Sequence, residues 1–103
     1  MKYDKKIIKL FDAILALDNQ KEAKLFLRDL LTESEITEFS NRWQAAQMLD
    51  KNIPYTQIVQ KTGLSSTTVA RISKWLNNGM SGYKLMLNKL NHHNRPSRGK
   101  GLR

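Results

Sequence analysis

Apolar residues recur every three or four positions along most of the chain, and no stretch shows a convincing alternation of apolar and polar residues. The first spacing lines one face of a helix, whereas a half-buried strand requires the second. The pattern therefore predicts an all-α fold. Capping and turn-forming residues divide the chain into six predicted helices, at about residues 3–17, 20–30, 33–49, 54–61, 66–77 and 81–90.

Two of the predicted helix starts carry specific signals. Thr32 is followed three residues later by Glu35, which is the spacing of a capping box. Pro54 suits a helix start, because the N–H that proline lacks would have no partner there. Residues 91–103 contain one aliphatic side chain and four Lys or Arg. We therefore expect one helical domain over residues 1–90 and a disordered basic tail over 91–103, which either contacts DNA or only aids solubility.

The two halves of the chain differ sharply in charge. Residues 1–50 contain eight basic and nine acidic side chains, whereas residues 51–103 contain ten basic and no acidic ones. Such a basic segment favours a polyanionic partner, because Lys and Arg near phosphates release condensed counterions. A basic surface kept for solubility or ribosome association is the alternative. The chain has no cysteine, which excludes disulfides and favours the cytoplasm. For a DNA-binding protein we expect association with the nucleoid there.

The segment at about residues 54–77 has the pattern of a helix-turn-helix centred on Gly63. Such a motif joins two short helices through a tight turn, in which glycine adopts the left-handed conformation without a Cβ clash. Apolar residues fall where the two helices must pack together: Ile58, Leu64, Val69 and Ile72. Ser65 is placed to cap the second helix. Val59 departs from the pattern, since many such motifs have Ala or Gly there, and a helical hairpin that is only a scaffold is the alternative.

The outer face of the second motif helix carries small, hydroxyl-bearing or basic side chains and no acid. Ser and Thr bond to bases or phosphates, and Arg bonds to guanine through two parallel hydrogen bonds. Small residues at the helix N-terminus allow close entry into the major groove. The first motif helix adds candidate phosphate contacts, although a hydrophobic contact is equally open for Tyr55. The predicted DNA-binding residues are Tyr55, Thr56, Lys61, Ser65, Ser66, Thr67, Ala70, Arg71 and Lys74.

Two long runs resemble the Trp repressor superfamily: LLTESEITEFSNRWQAAQML (residues 30–49) and IPYTQIVQKTGLSSTTVARISK (residues 53–74). The run TTVARISKWLNNGMSGYKLML (residues 67–87) is similar to its YerC/YecD branch. The resemblance extends over about residues 5–90. It implies a six-helix, Trp-repressor-like subunit in an intertwined homodimer, in which helices one to three and six interlock with the partner. The fourth and fifth helices would read a near-palindromic site with half-sites about one helical turn apart.

Large apolar side chains are more numerous than one small subunit needs, which agrees with a dimer, although a core within one chain is the alternative. They are Phe11, Leu15, Phe26, Leu30, Phe39 and Trp43. For Trp75 we expect core packing under the last helix, near Tyr83 and Leu87, rather than a place in the dimer contact.

The resemblance also implies an effector pocket, since Trp repressor holds an amino-acid corepressor between its core and its DNA-reading helices. The residues that match this pocket are Thr32, Arg42 and Arg71. The match fails at Ile72, where Trp repressor has a glycine that makes room for the indole ring. We therefore expect no tryptophan binding in that manner, whereas another amino acid, with histidine as one candidate, or no effector stays open. A salt bridge from Arg42 to Glu38 or Glu35 is the alternative role for that side chain.

Signals for other chemistry are weak. His92 and His93 have no further His or Cys to complete a metal site, and no nucleophile triad, P-loop or dinucleotide fingerprint occurs. Charges interrupt the N-terminal residues, so we expect neither a signal peptide nor a membrane span. The sequence predicts a homodimeric, sequence-specific transcriptional repressor that binds double-stranded DNA, with no enzymatic activity and no cofactor. The alternatives are a nonspecific DNA- or RNA-binding helical module and a helical protein-interaction module.

Overall fold

The computed structural model describes residues 2–79 and 82–94. These residues form six α-helices and contain no strand, so the predicted all-α class is confirmed. The helices are α1 (Lys5–Leu15), α2 (Gln20–Leu30), α3 (Glu33–Asp50), α4 (Tyr55–Thr62), α5 (Ser66–Asn78) and α6 (Gly82–Asn94). The bounds of α2 to α5 lie within one residue of the predicted ones. Helix α1 is two residues shorter than predicted at each end.

Helix α6 continues past the point where disorder was expected. It ends at Asn94, whereas the basic tail was predicted to begin at Asn91. The helix is therefore four residues longer than its predicted end at residue 90, and Asn and His are only moderately poor helix formers that do not block a helix. The remainder of the predicted tail, residues 95–103, lies outside the described residues.

Side-chain caps fix several helix starts. Asp4 and Asn19 accept hydrogen bonds from the third residue along, at 3.1 and 2.9 Å. The predicted capping box is confirmed: the amide of Glu35 donates to Thr32 Oγ1 at 3.1 Å, and the amide of Thr32 donates to Glu35 Oε1 at 2.9 Å. Pro54 lies one position before α4 rather than within its first turn, with an extended ψ of 148°.

The described chain divides into two compact units, and the first of them leaves its apolar side chains uncovered. It spans residues 1–37 and contains α1, α2 and the start of α3. No residue of α1 or α2 is buried, and Leu15 is 81% exposed. The large exposed apolar residues of these two helices are Ile8, Phe11, Ile14, Leu15, Leu25 and Leu30. Because these side chains are exposed, they do not form a core within the described chain. Short helices nevertheless depend on a covered apolar face for stability.

The second unit, residues 38–103, contains the core of the described chain. The buried cluster comprises Ala45, Ala46, Ile58, Leu64, Val69 and Ile72. It includes the four residues predicted to hold the helix-turn-helix together, so that prediction is confirmed. Ala45 and Ala46 of α3 are fully buried, and their short side chains allow a close approach of the helices. Helix α5 contacts both α4 and α6, and its exposed residues include Ser66, Thr67 and Arg71.

The predicted core packing of Trp75 was wrong. Its side chain is 48% exposed, because the buried stripe of α5 is made by Val69, Ile72 and Leu76. Trp75 lies at the edge of that stripe, as the 3.6-residue helical period requires. With Tyr83 it lines a groove that is described below.

Candidate nucleic-acid interface

The turn of the helix-turn-helix has the predicted conformation. Helix α4 ends at Thr62, and Gly63 follows with φ 75° and ψ 3°, in the left-handed region. The amide of Gly63 donates to the carbonyl oxygen of Val59 at 2.9 Å. A Cβ at this position would meet no atom within 4 Å. Glycine is therefore favoured here by backbone conformation and not by lack of space.

The buried side chain of Thr62 closes this turn from inside, a role that the sequence reasoning missed. Its hydroxyl donates to the carbonyl oxygen of Ile58 at 2.7 Å and accepts from the amide of Leu64 at 3.2 Å. One side chain thus satisfies the backbone on both sides of Gly63. A threonine directly before the glycine was the available signal, since Thr commonly bonds to the carbonyl four residues earlier.

Ser65 caps α5 as predicted. Its Oγ accepts from the amide of Thr68 at 3.1 Å, and its hydroxyl donates to Thr68 Oγ1 at 3.0 Å. A serine hydroxyl has only one hydrogen to donate, and here Thr68 receives it. In this arrangement Ser65 orients the start of α5. Its Oγ can accept a further hydrogen bond from another partner but has no hydrogen left to donate.

The predicted DNA-binding residues all lie on the surface of the second unit. Those of α5 form one face opposite the buried stripe: Ser66, Thr67, Ala70, Arg71 and Lys74. We call these five residues the reading face. Tyr55, Thr56 and Lys61 are exposed on α4. The structure thus brings five predicted residues together on α5 and places the remaining ones on α4 and in the turn.

The basic residues that follow Asp50 form no ion pair among the described residues. Six basic residues follow Asp50 in the described part of the chain, and all are exposed: Lys51, Lys61, Arg71, Lys74, Lys84 and Lys89. The ion pairs found among the described residues, Arg28 with Glu33 and Arg42 with Glu38, both involve acids that precede these residues. The six positive charges are therefore available to an anionic partner.

Two of the three residues matched to an effector pocket, Arg42 and Thr32, have partners of their own. Arg42 Nε lies 3.1 Å from Glu38 Oε2, which confirms the alternative role of this arginine. Thr32 belongs to the first unit and forms the capping box, whereas Arg71 is an exposed member of the reading face. Ile72 is 2% exposed and lies in the core. The Nε of Arg42 and the hydroxyl of Thr32 are therefore already engaged with glutamate or backbone partners.

The described surface of the second unit includes two hollows of interest. The first, which we call the aromatic groove, has a volume of about 640 Å³ and is lined by Trp43, Trp75, Gly79, Gly82, Tyr83 and Met86. The rings of Trp43 and Tyr83 stack across 6.3 Å at 18°. Burial raises the pKa of Tyr83 above its ordinary value of 10.0, and the positive charge of Arg42 opposes that rise.

The second hollow, which we call the polar cleft, has a volume of about 480 Å³. It lies where the end of α3, the start of α4, the end of α5 and the start of α6 meet. Its lining comprises Leu49, Asp50, Asn52, Ile53, Pro54, Tyr55, Ser73, Leu76, Asn77 and Lys84. Tyr55 is the predicted DNA-binding residue that lines this cleft.

Other kinds of site find no support in the described residues. No group of three or more His, Cys, Asp or Glu is placed there to hold a metal ion. None of the helices described is both long and apolar enough to cross a membrane.

Comparisons with known proteins agree with this architecture. Residues 5–91 match the family described as Trp repressor protein. The protein YerC of Bacillus subtilis (strain 168) is 34% identical over 86 residues, which cover 84% of this chain and 83% of YerC. The crystal structure of a TrpR-like protein from Eubacterium eligens ATCC 27750 is 36% identical, with a TM-score of 0.82, and covers 85% of this chain and 91% of that one.

A crystal structure of a candidate Trp repressor from Staphylococcus aureus is also 36% identical, with a TM-score of 0.80. The match covers 85% of this chain and 88% of that one. The family match spans all six helices up to residue 91 and includes the helix-turn-helix. The chain therefore belongs to the Trp repressor family and, by its similarity to YerC, to the YerC branch of that family.

Proposed function

We propose that this protein is a sequence-specific transcriptional repressor that binds double-stranded DNA as a homodimer and inserts α5 into the major groove. The observation that carries this function is the reading face, which is exposed, free of acids and held opposite a buried apolar stripe. Recognition helices of this motif contact base edges with the residues of their N-terminal half. Membership of the Trp repressor family indicates a DNA-binding regulator rather than an enzyme.

The order of side chains along α5 supports base reading. Ser66 and Thr67 open the helix, and they are small enough for the helix end to enter the groove closely. Arg71 follows one turn later, is exposed and has no ion-pair partner among the described residues. Its guanidinium therefore remains available for the two parallel bonds that distinguish guanine. Lys61 of α4 is exposed as well and suits a phosphate contact.

Homodimer formation is supported by the apolar surface of the single chain. The exposed apolar side chains of α1 and α2 include Phe11, Leu15 and Leu25. Trp75, which lines the aromatic groove, is half-exposed as well. A stable interface buries about 800 Å² on each partner, and monomers rarely expose large apolar patches. A second copy of the chain is the occupant that the family architecture provides. A symmetric pair would also present two copies of α5 to a near-palindromic site.

Repression in particular is the mode for which the family is named. We assign no effector to the protein, since the side chains of Thr32 and Arg42 are engaged with Glu35 and Glu38. Ile72 fills its position in the core, which agrees with the expectation that tryptophan does not bind.

The proposed function is tested by selection of binding sites from a pool of random duplexes at physiological salt. We expect enrichment of one near-palindromic motif whose half-sites lie about one helical turn apart. The enriched duplex is then challenged with excess random duplex and, separately, with RNA. Equal displacement by these competitors, or no enriched motif, would favour the nonspecific nucleic-acid module instead. An absence of salt-dependent binding would leave only the protein-interaction module.

A further inference from the structure

The polar cleft brings a lysine from outside the helix-turn-helix next to the motif. Lys84, near the start of α6, lines the cleft together with Tyr55 of α4 and Asn77 of α5. The Lys84 side chain is exposed and forms no ion pair with any described residue. Asp50 lines the same cleft but does not pair with it. An unpaired ammonium group is thus held beside two elements of the DNA-binding motif.

The free polar groups of the cleft include donors suited to a phosphate group. The Lys84 ammonium has three N–H donors, and the Tyr55 hydroxyl has one. The amide nitrogen of Asn77 is already held by Ser73, at 2.9 Å from the carbonyl oxygen and 3.5 Å from Oγ, so it forms a fixed wall of the cleft. A phosphate group accepts several charge-assisted hydrogen bonds at once. The carboxylate of Asp50 opposes such a ligand and lowers its affinity.

The position of the cleft indicates where this phosphate comes from. Tyr55 opens the first helix of the motif, and Ser73 and Asn77 lie at the far end of the helix that carries the reading face. When a recognition helix lies in the major groove, the phosphate backbones pass beside its ends and beside the preceding helix. We propose that Lys84 and Tyr55 bind a backbone phosphate of the duplex that α5 reads, so that α6 extends the DNA interface beyond the helix-turn-helix. The cleft has this role only if the proposed function holds.

The test uses the full-length protein and a labelled duplex of about three helical turns with random sequence, because a phosphate contact is independent of base sequence. Affinity is measured by fluorescence anisotropy over a series of salt concentrations for wild type, Lys84→Gln and Lys89→Gln. Lys89 is the matched control: it is an exposed lysine on the same helix, but it lines neither the polar cleft nor the aromatic groove. Two further variants are measured: Lys84→Arg, which keeps the positive charge, and Asp50→Asn, which removes the negative charge in the same cleft.

We expect Lys84→Gln to weaken binding several-fold. The slope of log affinity against log salt should become shallower by about 0.9 for each phosphate that the variant no longer neutralises, whereas Lys89→Gln stays close to wild type. Lys84→Arg should keep the wild-type slope because it keeps the positive charge, and Asp50→Asn should bind the duplex more tightly than wild type does. Equal effects of Lys84→Gln and Lys89→Gln would overturn the role of the cleft while leaving the proposed function intact. If the wild-type protein showed no salt-dependent duplex binding, both the role of the cleft and the proposed function would be rejected.

A free anion is the other source of a phosphate group. Inorganic phosphate is therefore titrated at constant ionic strength into the wild type, with Lys84 and Tyr55 followed by NMR. Shifts caused by the duplex but not by inorganic phosphate would support the backbone contact. Saturable shifts with inorganic phosphate that disappear in Lys84→Gln, together with an unchanged salt slope on DNA, would assign the cleft to a free anion and overturn the DNA contact.

Discussion

Truncation of Ile72 to alanine should destabilise the second unit by about 3 kcal/mol. The side chain is 2% exposed, and the change removes three buried carbon atoms at about 0.8 kcal/mol each. The cavity that is left adds to this cost, and Ile→Ala changes in cores span about 2–5 kcal/mol. Ala45 and Ala46 belong to the same cluster, and their methyl groups are too short to fill the space. The cost should therefore not fall at the low end of that range.

Urea unfolding followed by circular dichroism measures this loss, at one fixed protein concentration because a dimer dissociates as it unfolds. Ile72→Val is the matched control: it removes a single methyl group and should cost about 0.5–1.5 kcal/mol. A loss below about 1 kcal/mol for Ile72→Ala, or one equal to that of Ile72→Val, would show that the position is not part of a packed core. The argument that Ile72 fills the space that glycine leaves for the indole ring in Trp repressor would then fail as well.

Three further changes probe the motif and its surroundings. Thr62→Val leaves the amide of Leu64 without its acceptor and should cost about 1–3 kcal/mol; hydrogen exchange at Leu64 should accelerate, but not in Thr62→Ser. Ser65→Ala removes the cap of α5 and should cost about 0.5–2 kcal/mol in urea unfolding, whereas Ser65→Asn should retain most of the stability. Burial raises the pKa of Tyr83 above 10.0, so the unfolded chain loses the phenol proton at a lower pH than the folded chain does. The free energy of unfolding should therefore fall as the pH rises above 10.0. A Tyr83→Phe variant with the same alkaline decline would contradict this.

The helix-turn-helix was predictable from local sequence because each of its signals acts over a few residues. Gly63 and Ser65 determine the turn and the cap through their own backbone and side chain, and the spacing of Val69 and Ile72 identifies the inner face of α5. The tendency of Thr to bond to the carbonyl four residues earlier was a signal for the role of Thr62, but the sequence does not reveal that this side chain is buried and also accepts from Leu64.

The surroundings of the motif were less predictable because they depend on contacts that are distant in sequence. Trp75 was expected in the core because it is large and apolar, yet Leu76 takes the inner position next to it. The polar cleft combines Lys84 with Tyr55, which lie 29 residues apart in the sequence. No local pattern connects such a pair. In α1 and α2, the periodicity located the helices correctly but could not identify what covers Leu15 and its neighbours.

The most direct measurement of base reading by α5 compares two affinities, one for the duplex selected by the wild type and one for a scrambled duplex of the same length and composition. Their ratio is determined for the wild type, Arg71→Ala and Lys61→Ala at physiological salt. We predict that Arg71→Ala lowers the ratio by about 5- to 150-fold, which corresponds to about 1–3 kcal/mol for one bidentate base contact. Lys61→Ala should weaken both duplexes alike and leave the ratio unchanged. An unchanged ratio in Arg71→Ala would contradict the assignment of the reading face.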